Sequence, residues 1–141
     1  MKISKKAEYA LRALVAMSRS SVGTVFSIQT LATEESIPLK FLEQILLVLR
    51  KGGLLTSRRG AGGGYQLARA ASRISVGEVL ELIDGPLQLL PGGDGAGNAI
   101  SPGLVSAFRE LNEDIQQKLS ALTLADVLQR EQARGAVSFE I

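Results

Sequence analysis

Two arginines at the start of a glycine-rich run are the residues best suited to binding chemistry. Arg58 and Arg59 precede Gly60, and the run continues through residues 61–64 as AGGG. Because glycine lets the backbone approach a ligand closely, such arginines can enter a narrow, A·T-rich DNA minor groove. Since Tyr65 follows the glycines, the run matches neither the G-x-x-x-x-G-K-[ST] nor the G-x-G-x-x-G phosphate-binding pattern. A flexible hairpin with solvated arginines is the alternative.

A second candidate set lies on a helix predicted from Pro38 to about Lys51. Its apolar stripe, which we expect to be buried, is Leu42, Ile45, Leu46 and Leu49. Off that stripe lie Lys40, Phe41, Gln44, Arg50 and Lys51. Gln44 can pair with an adenine edge and Phe41 can touch a thymine methyl, whereas the three cations suit phosphate oxygens. An ordinary amphipathic surface helix is the alternative.

Several kinds of chemistry are excluded by residue types that the chain lacks. The 141 residues contain no Cys, His or Trp. This excludes disulfides, cysteine nucleophiles, serine–histidine catalysis and thiolate or imidazole metal sites. Glu78 and Glu81 share one predicted helix, but no surrounding residues indicate a pocket. We therefore predict that the protein is not an enzyme.

The charge is divided unequally along the chain, although the net value is only +2. Residues 1–73 contain 12 of the 16 Lys and Arg but 4 of the 14 Asp and Glu, a net charge of +8. Residues 74–141 therefore carry −6. Such asymmetry points to a polyanion as the partner of the basic part, a solvated basic face being the alternative.

The elements around these residues predict a mainly α protein with a small β-hairpin wing, a winged helix-turn-helix. Helices are predicted over 5–19, after Ser27 and from Pro38; short strands follow at 54–57 and 65–68. A capping box at 75–78 begins a helix that ends near Asp84. This organisation assigns residues 1–84 to a DNA-binding domain, 85–103 to a Gly/Pro-rich loop and 104–141 to dimerisation helices.

The long helix predicted over 102–121 carries a seam close to a heptad repeat. The seam residues are Leu104, Phe108, Leu111, Ile115, Leu119 and Leu122. They predict a dimer interface, an intramolecular core helix being the alternative. Thr123 caps a last helix that we expect to end before Gly135.

These motifs together resemble the Rrf2 family of bacterial transcription regulators. Its opening is similar to residues 1–13, MKISKKAEYALRA, and its centre to FLEQI at 41–45, LRKGGL at 49–54 and SRRGAGGGYQL at 57–67. SVGEV at 75–79 matches the next helix. The resemblance is close over residues 1–85 and weaker through TLADVL at 123–128.

The resemblance implies a homodimer, more often a repressor, with each subunit on half of a dyad-symmetric operator on double-stranded DNA. It assigns base contacts to the start of the second helix of the pair, which here means Pro38, Lys40, Phe41 and Gln44, although many members carry a hydroxyl residue in place of Pro38. It assigns a base-tuning role to Glu43. It assigns the minor-groove contact to Arg59 and phosphate contacts to Ser4 and Lys6. The predicted DNA-binding residues are Ser4, Lys6, Pro38, Lys40, Phe41, Glu43, Gln44, Arg50, Lys51, Arg58, Arg59 and Gly60.

The loop 85–103 departs from the iron–sulfur members of the family, which carry three cysteines there. Carboxylates such as Glu8 or Asp94 cannot replace three thiolates around a cluster that favours soft donors. We therefore expect no iron–sulfur cluster and no other cofactor or metal. The loop could take a small-molecule effector or a protein effector, or it could belong to a constitutive DNA binder.

Together these features predict a sequence-specific DNA-binding regulator. A winged-helix module that regulates an acidic partner protein is the alternative. No signal-peptide-like apolar stretch and no run of about 18 apolar residues occurs in the sequence, so we expect no membrane contact and a cytoplasmic location.

Overall fold

Three short helices precede a two-stranded hairpin in the computed structural model, which describes residues 2–90 and 101–139, with side chains as far as Gly135. The elements are α1 (Lys5–Ser18), α2 (Ile28–Glu35), α3 (Leu39–Lys51), β1 (Leu55–Arg58), β2 (Gly64–Leu67), α4 (Val76–Asp84), α5 (Pro102–Ala121) and α6 (Leu124–Phe139). A single 3₁₀ turn precedes α4. The order confirms the predicted mainly α fold with a hairpin wing.

Serine hydroxyls cap the helices at the predicted starts. The Ser27 hydroxyl accepts the Thr30 amide at 3.0 Å, and the Ser101 hydroxyl likewise caps α5. At α4 the capping box is complete: the Ser75 hydroxyl accepts the Glu78 amide, and the Glu78 carboxylate accepts the Ser75 amide. Because each cap satisfies an amide that lacks an intrahelical partner, these starts are encoded locally.

Several predicted boundaries were wrong by one or more residues, including the end of α1 at Ser18 rather than residue 19. Pro38 is the N-cap of α3 rather than its first helical residue, since its carbonyl accepts the Leu42 amide from extended backbone. β1 begins one residue later than predicted, because the Leu54 amide closes the end of α3 on the Leu49 carbonyl at 3.0 Å. The pairing of Arg58 with Gly64 and of Leu55 with Leu67 moves the other strand ends by one residue. The last helix continues through Gly135 to Phe139, at a glycine cost of about 1 kcal/mol.

The hairpin is extended by one further backbone pairing. β1 and β2 are antiparallel, with Leu55 opposite Leu67. On the other edge of β2, Phe26 and Tyr65 exchange amide–carbonyl hydrogen bonds of 2.8 and 2.9 Å. A β-carbon at Gly64 would lie 2.0 Å from the Phe26 carbonyl oxygen, so only glycine permits this approach. The wing is thus fixed to the segment before α2.

The core of the described residues lies almost entirely between Ala7 and Val79. It combines apolar faces of α1, α2 and α3 with one side of the hairpin and the start of α4. Leu14, Leu42, Leu46 and Ile74 are among its fully buried members. Interdigitated aliphatic packing of this kind supplies the main driving force for folding.

The chain returns to this core after α5. The Val76 amide donates to the Leu122 carbonyl at 2.8 Å, and the Leu124 amide donates to the Ile74 carbonyl at 2.9 Å. Leu124 is fully buried in the same core. The boundaries at 84 and 104 stay predictions, although Leu124, Val127 and Leu128 of the predicted dimerisation segment pack on the core of the predicted DNA-binding domain.

Candidate nucleic-acid interface

α3 presents a polar face to solvent because its apolar stripe is fully buried. The stripe consists of the predicted Leu42, Ile45, Leu46 and Leu49. The predicted contact residues on this helix are all exposed: Lys40, Phe41, Glu43, Gln44, Arg50 and Lys51, with Pro38 before them. An exposed polar face on a firmly packed helix is what reading a DNA groove requires.

A tight turn sets the angle between α2 and α3. Ser36 is left-handed, with φ 54° and ψ 47°, and the Ile37 amide donates to the Ala32 carbonyl at 2.9 Å. This is the Schellman arrangement, in which the apolar residue after the left-handed position packs inward, and Ile37 is buried. α2 and α3 therefore form a helix-turn-helix with α3 as its second helix.

The wing carries its arginines at the open end of the hairpin. Arg58 ends β1 opposite Gly64, and Arg59 and Gly60 follow in the exposed connection. The Arg50 guanidinium donates to the Ser57 hydroxyl at 3.3 Å, which joins the end of α3 to β1. The helix and the wing are thus linked, and Arg50 is partly engaged in that link.

The predicted cations Lys6, Lys40, Lys51, Arg58 and Arg59 have no carboxylate partner within residues 2–90 and 101–139. Other cations of the same ranges form ion pairs, among them Lys5 with Glu8, Arg19 with Glu35 and Glu131, and Arg69 with Glu78. Unpaired cations along one helix and its wing are the electrostatic pattern of a phosphate-binding surface.

Ser4 is held by a residue far along the sequence. The Ser4 hydroxyl donates to Asp84 Oδ1 at 2.6 Å, and the Ser4 amide donates to Asp84 Oδ2 at 3.1 Å. The hydroxyl also caps α1 by accepting the Ala7 amide at 3.0 Å. A phosphate contact by the Ser4 side chain would therefore have to displace Asp84. Lys6, the second residue of α1, is half-buried.

Sequence analysis missed an aromatic residue at this interface, Tyr9. Its ring lies edge-to-face with the Phe41 ring, with centroids 5.8 Å apart and planes at 82°. The Lys5 ammonium and the Arg12 guanidinium lie 5.2 and 5.5 Å from the centroid of the Tyr9 ring. We call these four residues the Tyr9 cluster. The spacing of Lys5, Tyr9 and Arg12 on one helix face was a signal, but the Phe41 contact links two separate helices.

The predicted dimer seam divides into two parts. Leu104 and Leu111 expose 52% and 49% of their surface, and no residue of α5 is buried. Ile115 and Leu119 are half-buried and line a groove of about 580 Å³ with Leu80 of α4. The α4 and α5 backbones approach closely there, since a β-carbon at Gly77 would lie 3.0 Å from the Leu119 carbonyl carbon. Phe108 and Leu122 are also half-buried.

The model of the Rrf2 family, described as iron-dependent transcriptional regulators, matches residues 3–130. The chain belongs to the Rrf2 family. A Mycobacterium tuberculosis H37Rv protein named as an HTH-type transcriptional regulator is 41% identical over 130 residues, which are 90% of this chain and 81% of that protein. The HTH-type transcriptional regulator IscR of Cereibacter sphaeroides is 36% identical over 86% of this chain and 77% of its own length.

Solved structures extend the likeness of this Rrf2 protein to the whole fold. CymR, described as the global cysteine regulator of B. subtilis, superposes with a TM-score of 0.80 at 25% identity, covering 92% of this chain and 98% of CymR. T. potens IscR superposes with a TM-score of 0.75 at 29% identity, covering 93% and 88%. The protein is therefore a DNA-binding transcription regulator with a winged-helix fold rather than an enzyme. These relatives favour it over the protein-interaction module.

The donors of this Rrf2 protein do not fit an iron–sulfur cluster. The whole sequence lacks Cys and His. Within residues 2–90 and 101–139, no three Asp or Glu side chains are grouped to hold an ion. Carboxylates prefer hard cations and do not replace thiolates around iron and sulfide. In the same ranges, no helix is both long and apolar enough to span a bilayer.

Proposed function

We propose that the protein acts as a homodimer that binds a dyad-symmetric operator and represses transcription there. The observation that carries this proposal is the row of exposed, unpaired cations on α3 and the wing. Each subunit would place α3 in the major groove and Arg59 in the adjacent minor groove. Gln44 and Phe41 would read bases, and the lysines would position the helix on phosphates.

The proposed homodimer is supported by the apolar residues that α5 leaves uncovered. Leu104 and Leu111 lie seven residues apart on one face and are about half exposed. Two copies of α5 crossing at this face would remove these leucines from water, which favours association by about 25 cal/mol per Å² of apolar surface buried. The acidic C-terminal part would then lie away from DNA, whose phosphates would repel it.

We propose that repression follows from occupation of the operator, where a bound dimer excludes RNA polymerase. A bacterial reporter tests this, with an operator that the protein has selected from a random duplex pool placed over the reporter's promoter. Expression should fall when the protein is present and recover with Arg58→Ala/Arg59→Ala. A rise in expression with the wild-type protein would make it an activator. This role places the protein in the cytoplasm, with the chromosome.

We propose that no iron–sulfur cluster takes part, because the chain has no thiolate to hold one. The test is anaerobic purification followed by exposure to iron and sulfide. We expect a colourless protein whose DNA affinity is unchanged by the treatment. Visible absorption bands that remain after gel filtration would contradict the proposal.

We propose that an effector, if the protein has one, acts at the groove between α4 and α5. Pro86, Leu87 and Gln88, which begin the predicted loop, line it, and so does Asp84, which holds Ser4. Residues 91–100 of that loop lie outside the described residues. The hydrogen bonds between Asp84 and Ser4 connect the groove with the start of α1. A small molecule, a protein effector and a constitutive regulator stay open as alternatives.

The central test of DNA binding is selection of bound sequences from a random duplex pool, followed by fluorescence anisotropy. We expect a palindromic site, because a symmetric dimer reads two equivalent half-sites. Affinity should fall by about 10³- to 10⁵-fold between roughly 50 and 200 mM salt, as counterions are released from the contacted phosphates. Weak, salt-insensitive binding to every sequence would overturn the proposal.

A further inference from the structure

Tyr9 is surrounded by three groups that meet its ring from two helices. Lys5 and Arg12, on the same face of α1, bring their cations within 5.2 and 5.5 Å of the ring centroid. Phe41 approaches from α3 with its ring nearly perpendicular, at 82°. Cations near a ring face and an aromatic neighbour edge-to-face are both favourable arrangements for the aromatic quadrupole. Tyr9 itself packs against the core, which fixes its ring.

Phe41 depends on this contact because it is otherwise at the surface. It lies in the first turn of α3, is 40% exposed and is not part of the buried core. Among residues 2–90 and 101–139, the only ring stacked against Phe41 is that of Tyr9. Loss of the Tyr9 ring would remove this edge-to-face contact, so the rotamer of the Phe41 ring would be less restricted.

The Tyr9 cluster also reaches the helix before the turn. The Arg12 guanidinium, which lies near the Tyr9 ring, donates to the carbonyl of Glu35, the last residue of α2. α1 therefore contacts both members of the helix-turn-helix: α3 through the Tyr9 ring against Phe41, and α2 through the hydrogen bond from Arg12 to Glu35. This arrangement fixes the start of α3 relative to α1.

We infer that Tyr9 is a positioning residue for DNA reading, and that it acts by holding the Phe41 ring against a thymine methyl group. The inference rests on the proposed function, in which the start of α3 enters the major groove. Tyr9 touches the reading side chain rather than the base. Its substitution should therefore remove discrimination at one base position while leaving phosphate binding in place.

The ring of Tyr9, rather than its hydroxyl, carries this role. The phenol oxygen has no hydrogen-bond partner within the described ranges. Tyr9→Phe should therefore keep both the ring contacts and the DNA selectivity, whereas Tyr9→Leu should lose them. Tyr9→Met, which fills the space with a flexible apolar chain, serves in place of Tyr9→Leu if that variant fails to fold.

The first measurement needs no DNA and tests the contact alone. 4-Fluorophenylalanine is placed at position 41, and its ¹⁹F resonance is recorded in the wild-type, Tyr9→Phe and Tyr9→Leu backgrounds. We expect the resonance to keep its position in Tyr9→Phe and to shift and sharpen in Tyr9→Leu. An unchanged resonance in Tyr9→Leu would show that Tyr9 does not hold Phe41.

The second measurement uses the selected operator and a copy in which uracil replaces the thymine proposed to contact Phe41 in one half-site only. Removing the methyl group should weaken wild-type binding about fourfold, the effect of one buried carbon group. The ratio of the affinities for the thymine operator and the uracil operator should stay near fourfold in Tyr9→Phe. It should fall toward one in Tyr9→Leu and in Phe41→Ala. The Tyr9→Leu/Phe41→Ala double variant should show the same ratio as the Phe41→Ala single variant.

The remaining outcomes each count against the inference. A wild-type protein that selects no sequence would refute the proposed function itself, whatever the ¹⁹F spectra show. Selective wild-type binding with a preserved ratio in Tyr9→Leu would refute only the positioning role. Equal loss on both operators in Tyr9→Phe, with a smaller salt slope, would make the hydroxyl a direct phosphate ligand. Unfolding of both Tyr9→Leu and Tyr9→Met would assign Tyr9 to the core.

Discussion

The segment from Ala7 to Val79 and helix α5 differ in whether their apolar side chains are buried within the chain. In the first, Leu14 of α1 and Leu55 of the hairpin are buried in one core with the apolar stripe of α3, which is Leu42, Ile45, Leu46 and Leu49. In α5, no residue is buried, and Leu104 and Leu111 are about half exposed. A segment that buries its apolar side chains within one chain is stabilised by that chain, whereas α5 needs a further surface to cover its leucines.

The largest effect should come from the interior of the first segment. Leu46→Ala removes a fully buried side chain from α3, and we expect a loss of about 2–5 kcal/mol in the free energy of unfolding. Denaturant titration followed by circular dichroism measures it. The matched control, Leu104→Ala in α5, should cost less than about 0.5 kcal/mol at concentrations where the protein is monomeric. Equal losses would contradict the contrast between the two regions.

The second effect should separate assembly from folding. Leu111→Asp places a charge on the exposed stripe of α5, so we expect a folded monomer by light scattering. Operator affinity should fall about 100-fold, because the two half-sites are then bound independently. Ser106→Asp, an exposed position on another face of α5, should leave the dimer intact. A dimer that survives Leu111→Asp would place the interface elsewhere.

A reading residue should change specificity without changing assembly. Gln44→Ala should cost about 1–3 kcal/mol of binding at one base pair of each half-site and leave the dimer unchanged. Affinities for operators substituted at single positions measure this. A uniform loss across all operator variants would mean that Gln44 contacts the DNA backbone instead.

The wing should respond to base composition rather than to one base. Arg59→Ala should weaken binding about tenfold at an A·T-rich wing site, because a narrow groove concentrates negative potential there. The loss of affinity caused by Arg59→Ala should be smaller on an operator in which G·C pairs replace the A·T pairs at the wing site. Arg130→Ala, which removes the same charge from exposed α6, should have little effect. A penalty that is independent of groove sequence would rule out the minor-groove role.

The smallest effect concerns the start of α4, where the two regions meet. The Arg69 guanidinium, which donates to Glu78 at 2.8 Å, and then the Ser75 amide hold the pKa of the Glu78 carboxyl below its usual value. The charged form thus stabilises the fold above the unfolded pKa of about 4.3, and this contribution is lost as pH falls through the lower folded value.

Glu78→Gln should therefore cost about 0.5 kcal/mol at neutral pH, a small value because the side chain is 41% exposed. The difference from the wild-type protein should narrow between about pH 5 and about pH 3. Thermal unfolding across this pH range measures it, with exposed Glu81→Gln as the control. A difference that does not vary with pH would show that the charge of the Glu78 carboxylate does not stabilise the fold.

The parts predicted from the sequence are those encoded within a few residues. Ser27, Ser75 and Ser101 mark helix starts because each cap bonds an amide three residues on. The α3 stripe was recognised because helical periodicity repeats over one element. The exposure of the predicted DNA-contact residues on α3 follows from the same periodicity, while their roles at DNA stay predictions.

The parts that the sequence did not reveal join distant residues. Ser4 and Asp84 are 80 positions apart, and no local pattern relates them. The Tyr9 ring meets Phe41 only because the buried face of α3 packs against α1. The strand shift at Leu54 arose because a helix cap and a hairpin compete for one backbone amide. Sequence patterns therefore misplace the boundary between two elements where both elements compete for the same residue.

The attachment of α5 at its C-terminal end has a mechanical consequence. Backbone hydrogen bonds at Leu122 and Leu124 and the close approach at Gly77 make the end of α5 continuous with the segment that carries α3. With 20 residues, α5 is about 30 Å long, close to the ~34 Å repeat of DNA. In the proposed dimer, the length of α5 would then set the distance between the two α3 helices. Lengthening α5 by one helical turn should change the preferred spacing between half-sites rather than the bases read within each.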